Sequence, residues 1–156
     1  MNGRELVETY GDMLYRICVV SLRNKADAED AVQETLLKYI TKAPEFTSES
    51  HRKAWLITVA VNQCKTMIRQ QGRTVPTDPE ILRGSLPEVS QKDTAILDAL
   101  MSVPEKFRAP LILHYVEGYK ISEVSDILGI GRSAVKMRLS KGRKLLETIY
   151  RREYLQ

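Results

Sequence analysis

The stretch EVSDILGIGRSAVKMRLSKGRKLL, Glu123 to Leu146, constrains the fold of this chain more than any other part of it. Ser125 is a small residue where two helices must touch, Gly129 permits a turn, and Val135 anchors the second helix on the first. That spacing predicts a helix-turn-helix. The second helix carries Arg132, Lys136, Arg138, Lys141, Arg143 and Lys144 with no acidic residue between them. A charged run is ordinarily a solvated face, and a glycine between helices is common in any helical protein. The small residue, the glycine, the apolar anchor and one-signed charge, met in this order, point instead to a helix laid against DNA. Lys136, Arg138 and Lys141 occupy positions expected to face the groove, and Arg143 and Lys144 positions expected to touch the backbone.

The rest of the chain bounds the task of such a unit. Its 156 residues suffice for one domain or two small ones, and they contain no apolar run long enough to span a bilayer. The opening MNGRELVETY lacks the basic and then apolar regions of a secretory signal, which places the chain in the cytoplasm. Cys18 and Cys64 fall in apolar helical patterns without metal-ligand spacing and read as buried free thiols. A net charge of +4 hides an asymmetry, with acids gathered at Asp27 to Glu34 and in the linker and a basic C-terminal end.

Helical periodicity dominates, and strand signals are nearly absent. Leu6, Met13, Leu14, Ile17 and Cys18 form one stripe, and Ala31, Val32, Thr35, Leu36 and Tyr39 a second. Trp55, Leu56, Val59, Ala60, Gln63 and Met67 form a third, on a helix that the pattern starts near Trp55 and ends before Gly72. Pro76, Pro79, Gly84 and Pro87 then break periodicity, so residues 72–93 read as an interdomain linker. TAILDALMSV predicts a helix stopping before Pro104, and Pro110 predicts a kink in the next one, which Gly118 ends. The expected architecture is all-α: a helical domain over 1–71, the linker, and a helix-turn-helix domain over 94–156.

In the first domain, DAEDAVQE places Asp27, Asp30 and Glu34 on one helical face with Glu29 beside them. Acids near a helix start suit the macrodipole, and the same face suits docking onto a basic protein surface. A metal site is disfavoured, because no histidine stands at ligand spacing and an exposed helical face rarely encloses an ion. From Phe46 to Trp55 a polar loop carrying Ser48, His51, Arg52 and Lys53 leads into a helix that displays Asn62, Lys65 and Arg69. Trp55 is a core anchor more often than a stacking platform, while a basic and aromatic loop suits capture of an unstacked base, whose edge the Asn62 amide can both donate to and accept from. His51 and His114 have no serine or cysteine with an acid in a nucleophilic arrangement, so no catalytic residues are assigned.

The succession YRICVVSLRNKADAEDAVQETLLKYITKAPEF, AWLITVAVNQCKTMIR and SVPEKFRAPLILHYVEGYKISEVSDILGIGRSAVKMRLSKGRKLL resembles the bacterial RNA polymerase sigma factors of the extracytoplasmic-function (ECF) subgroup of the sigma-70 family. The resemblance covers about residues 10–71 and 93–149. It implies that Asp27, Glu29, Asp30, Gln33 and Glu34 dock on the clamp helices of core polymerase. It implies that Phe46, Ser48, His51, Arg52, Lys53, Trp55, Asn62, Lys65 and Arg69 meet the promoter minus-ten element and capture a flipped non-template base. Arg132, Ser133, Lys136, Met137, Arg138, Ser140, Lys141, Arg143 and Lys144 would read the minus-thirty-five element, in a domain that also contacts the polymerase flap. The linker would thread toward the RNA exit path. The partners implied are core polymerase, promoter DNA and an anti-sigma factor; no cofactor, metal or membrane insertion is implied, and such proteins do no chemistry themselves.

This chain departs from many members of the subgroup at Thr58, where they carry arginine, at Ile40, where they carry an aromatic residue, and at Lys120, where they place a capping serine. Two other classes fit parts of the sequence. A dimeric helix-turn-helix regulator of duplex DNA would need neither DAEDAVQE nor a base-capture loop. A nucleic-acid enzyme holding magnesium on Asp27, Glu29, Asp30 and Glu34 would show metal-dependent cleavage or transfer.

Overall fold

A computed structural model of the chain describes residues 1–71, 76–85 and 91–154. Every regular element among them is helical, and the chain divides into two compact units, Met1–Pro87 and Glu88–Gln156. The fold class is all-α.

The first unit is built on α1 (Gly3–Leu22), α2 (Lys25–Lys42) and α3 (Glu49–Gln71), each packed against the other two. Asn2 and Glu5 close a reciprocal cap on α1: the Glu5 N–H donates to Asn2 Oδ1 at 2.9 Å and the Asn2 N–H to Glu5 Oε2 at 3.1 Å. Arg23, left-handed at φ 55, ends the helix, and Asn24 accepts the Asp27 N–H at 3.0 Å to begin α2. The core takes Leu6, Leu14, Ile17 and Cys18 from α1, Ala28, Ala31 and Thr35 from α2, and Leu56, Ile57, Ala60, Val61 and Cys64 from α3. The stripe on α3 thus centres on Leu56 and Ile57, with Trp55, Val59 and Gln63 on its half-buried margins. Both cysteines are buried and free. A hydrogen bond with Cys64, with burial second, pushes the Cys18 thiol well above its ordinary range, so Cys18 is not poised to react.

The segment read as linker holds a helix, α4 (Pro79–Ser85). Asp78 accepts the Glu80 N–H at 2.8 Å, Pro79 opens the first turn, and Leu82 is 3% exposed. Just ahead of it Thr77 is bonded to the α1–α2 turn: its N–H donates to the Arg23 carbonyl at 2.9 Å, and its Oγ1 accepts the Lys25 N–H at 2.9 Å. Among the described side chains of α4 only Leu82 is buried, so the segment offered no periodicity to detect. Residues 72–75 and 86–90 of the expected linker lie outside the described residues.

The second unit comprises α5 (Gln91–Ser102), α6 (Glu105–Leu111), α7 (Ile121–Leu128) and α8 (Arg132–Tyr154). Pro110 lies inside α6, and the chain does not break there. Residues Ile112–Val116 continue it as a π-type turn, with the Glu117 N–H donating to the Ile112 carbonyl at 2.9 Å. Pro110 has no N–H to give, and the ladder widens two residues later. Gly118, at φ 79, then ends the helix. His114 Nδ1 lies 2.7 Å from the Tyr119 carbonyl, which can only accept, so Nδ1 carries the proton and ties the helix end to the connection.

Replacing Leu82 with alanine removes a buried anchor of α4 and is expected to cost about 2 kcal/mol or more locally. Hydrogen exchange at the Thr77 and Lys25 amides should speed up while the centre of α1 stays protected; unchanged exchange at Thr77 would show that α4 does not hold this segment in place.

Candidate nucleic-acid and protein interfaces

The buried side of α2 is a line of small residues, Ala28, Ala31 and Thr35, and the Thr35 hydroxyl turns back onto the Ala31 carbonyl at 2.8 Å. This close seat turns Glu29, Asp30, Gln33 and Glu34 outward, all exposed, with Asp27 half-buried at the start of the row. The first turn is already capped by Asn24 and Thr77, and a macrodipole acts only within that turn, so it gives no account of Glu34. The row continues into Leu37 and Ile40, which are 54% and 65% exposed. Sequence reasoning missed Leu37; an apolar residue off the core stripe was the signal. The result is one helical face, acidic at its start and apolar toward its end, suited to a protein partner. Among the described residues no group of three or more His, Cys, Asp or Glu is arranged to hold a metal ion.

Helix α3 begins at Glu49, earlier than its apolar stripe suggests. Ser48 Oγ accepts the His51 N–H at 3.1 Å, and His51 Nδ1 in turn accepts the Thr47 N–H at 3.3 Å, a reciprocal cap in which histidine takes the acid's role. His51, Arg52 and Lys53 are therefore helical rather than in a loop, and the Ser48–Glu49 pair was the signal for it. Phe46 folds back from the connection. Its ring stacks on Tyr39 at 5.9 Å and meets Trp55 at 5.8 Å and His51 at 5.2 Å, with the Arg52 guanidinium 5.2 Å over it. Arg52 also pairs with Glu49 and donates from Nε to Tyr39 Oη at 3.0 Å. Phe46, Arg52 and Trp55 thus brace one another, while Ser48 and His51 stay exposed beside them. Asn62, Lys65 and Arg69, all exposed, recur at i, i+3 and i+7 on the face of α3 turned from the core. Thr58, also on this face, bonds the Ala54 carbonyl at 2.8 Å.

In the second unit Lys120 precedes α7 as a cap residue whose side chain bonds nothing in the first turn, though the Glu123 carboxylate accepts the Lys120 N–H at 2.9 Å. Gly129, at φ 66, makes the turn, and the Ser125 hydroxyl donates to the Ile130 carbonyl at 2.5 Å. Ser125 therefore latches the turn as well as being small. Val135, fully buried, begins the inward stripe of α8, which Leu139 and Gly142 continue. A Cβ on Gly142 would lie 3.0 Å from Leu111 Cδ1 and 3.1 Å from Phe107 Cβ, so α8 rests directly on α6. The sequence reading passed over this glycine. Arg132, Ser133, Lys136, Met137, Ser140, Lys141, Arg143 and Lys144 are exposed. Arg138 is half-buried on the flank opposite Lys136, so these two do not share one groove-facing line as their joint assignment required. Arg143 reaches the Tyr115 hydroxyl at 3.5 Å.

Comparison with known proteins places this fold in a family. The sigma-70 region 2 family matches residues 6–74, and the sigma-70 region 4 family matches residues 93–146. The chain is 26% identical over 159 residues to the ECF RNA polymerase sigma factor SigW of Bacillus subtilis, covering 91% of this chain and 85% of that protein. It is 29% identical over 145 residues to the ECF RNA polymerase sigma factor SigM of Mycobacterium tuberculosis, covering 91% and 74%. The fold is similar to the sigma factor RpoE of Bartonella quintana, solved with the anti-sigma factor NepR, at a TM-score of 0.73, 24% identity and 96% coverage of both chains. It is also similar to CnrH, solved with the cytosolic domain of CnrY, at a TM-score of 0.69 and 20% identity, covering 97% of this chain and 88% of that one. The chain belongs to the sigma-70 family, in its extracytoplasmic-function subgroup, and serves promoter-specific transcription initiation.

Gly142→Val forces a branched side chain into the α6–α8 contact and is expected to destabilise the second unit by about 1–3 kcal/mol. Hydrogen exchange should rise in α6 and α8 and stay unchanged in α1–α3. Unaltered protection of α8 would show that the close approach is dispensable.

Proposed function

We propose that this chain binds core RNA polymerase through the outward face of α2, engages the minus-ten element with α3, and reads the minus-thirty-five element with α8. The observation that carries this reading is the first half of α8: Arg132, Lys136, Lys141, Arg143 and Lys144 are exposed with no acid between Arg132 and Lys144, on a helix whose opposite stripe is locked into a helix-turn-helix core. Asp27, Glu29, Asp30, Gln33 and Glu34, extended by Leu37 and Ile40, dock on the clamp helices. The braced Phe46, Arg52 and Trp55 hold Ser48 and His51 at the minus-ten site, where Asn62 reads a flipped base and Lys53, Lys65 and Arg69 hold the backbone. On α8, Lys136 and Lys141 flank the groove, and Arg132, Arg138, Arg143 and Lys144 meet phosphates. The sigma factor RpoE, of the same fold, is solved in complex with the anti-sigma factor NepR. An anti-sigma partner is proposed here too, with action in the cytoplasm beside the polymerase. In vitro transcription with core polymerase and a random promoter library tests the whole reading.

Two variants test its parts. Reversing charge at Asp30 and Glu34 to lysine places like charges against a basic surface, at a cost of several kcal/mol, so core affinity should fall at least about a hundredfold with helix content unchanged. Undiminished core affinity would remove the docking face from this account.

Asn62→Ala leaves an exposed helical position that tolerates alanine, so folding and core binding should persist. Opening of the minus-ten region should weaken, with a loss of about 1–3 kcal/mol for the preferred base. Permanganate footprinting on promoters varied at each minus-ten position measures it. Unchanged base preference in a destabilised variant would mean that Asn62 serves the fold alone.

A further inference from the structure

The buried stripe of α8 runs through Val135, Leu139 and Gly142. At 100° per residue, the line opposite to it runs through Ser133, Met137, Ser140 and Lys144, all exposed. Met137, in the middle of that line, is 52% exposed. Its neighbours along the ridge, Ser133 and Ser140, are short, so the thioether stands above them. Lys136 and Lys141 lie to either side. The exposed side chain at the centre of this cationic face is therefore apolar and uncharged.

A phosphate gains nothing from a thioether; cations and hydroxyls meet phosphates. Of the groups that base edges present in the major groove, one rewards apolar contact: the C5-methyl of thymine. Met is unbranched, with rotatable bonds enough to reach the floor of a groove and a polarizable sulfur to pack there. Lysines flanking it fix the helix by the backbone on both sides and leave the centre to the bases.

Resting on the assignment of α8 as the recognition helix, we infer that Met137 is a specificity-determining residue that packs against a thymine methyl in the minus-thirty-five duplex. The promoters this factor serves then carry thymine, on one strand or the other, at the base pair facing Met137. Ser133 and Ser140 keep the approach open, and a longer side chain at either position would hold the thioether off the base.

The test uses holoenzyme assembled from the full chain and core polymerase, on promoters it selects from a random library. Each minus-thirty-five thymine is replaced singly by deoxyuridine, which removes the methyl and keeps the base pair. At one position the unaltered factor should lose about four-fold in promoter affinity, the contribution of one buried methyl group. Met137→Ala should be indifferent to that same replacement, Met137→Leu should remain sensitive, and 5-methylcytosine at that position should bind more tightly than cytosine only when Met137 is present. Selected promoters on which no deoxyuridine effect depends on Met137 would overturn the inference and leave α8 as the reader. Weakened holoenzyme assembly by Met137→Ala with unchanged base preference would overturn it in favour of a contact with polymerase. A holoenzyme that selects no minus-thirty-five sequence at all would overturn the assignment of α8 itself.

Discussion

The second unit depends on one close approach, that of α8 to α6 at Gly142. Phe107 Cβ and Leu111 stand where a side chain would begin, so the two helices meet almost backbone to side-chain root. Helices at this spacing gain dispersion contacts along their length and lose rotational freedom about their axes. Rotation is what matters to a recognition helix. With Gly142 and the fully buried Val135 both pinned, residues 133, 137, 140 and 144 have only one direction to face. Gly129 and the Ser125–Ile130 bond fix the other end, because a left-handed glycine and a latched carbonyl set where α8 starts.

The first unit solves a different problem. It presents an exposed acidic row on α2 and exposed basic residues on α3 around one three-helix core, so these long side chains must not be recruited into the fold. Small residues on α2 allow a close seat that leaves the long acidic chains outside. On α3 the braced cluster of Tyr39, Phe46, Arg52 and Trp55 shapes the connection before any nucleic acid arrives. An ordered surface loses less conformational entropy on binding than a loop that must fold around its target.

The helix-turn-helix was legible in the sequence because each of its signals has a single physical cause: a positive φ at Gly129, a buried anchor at Val135, and charge of one sign. The acidic row was legible in the same way. The start of α3 was not, since periodicity reports burial and the first turn of that helix is exposed; the cap at Ser48 was the only notice of it. Helix α4 escaped because a single buried leucine makes no period. Gly142 escaped because a glycine within a helix reads as a propensity cost until the opposing helix is known. Arg138 was placed with Lys136 at positions expected to face the groove, and residues two apart on a helix are far apart in angle.

That angular argument also limits what the cations of α8 can do. Lys136 and Arg143 lie on one flank of the ridge and Lys141 on the other, about a groove's width apart once their long chains extend. Cations placed on both flanks reach the two phosphate backbones that bound a major groove, and they reach them whatever the sequence between. Such contacts orient the helix and bring it to DNA, and they discriminate poorly. Discrimination then falls to the residues between the flanks, and on this helix those are two serines and Met137, with Lys144 beyond them. A hydroxyl bonds to several base edges with little preference. Of the serines and Met137, the thioether alone has a partner restricted by chemistry, so under the proposed reading of α8 its selectivity would rest on a side chain that charge alone would pass over.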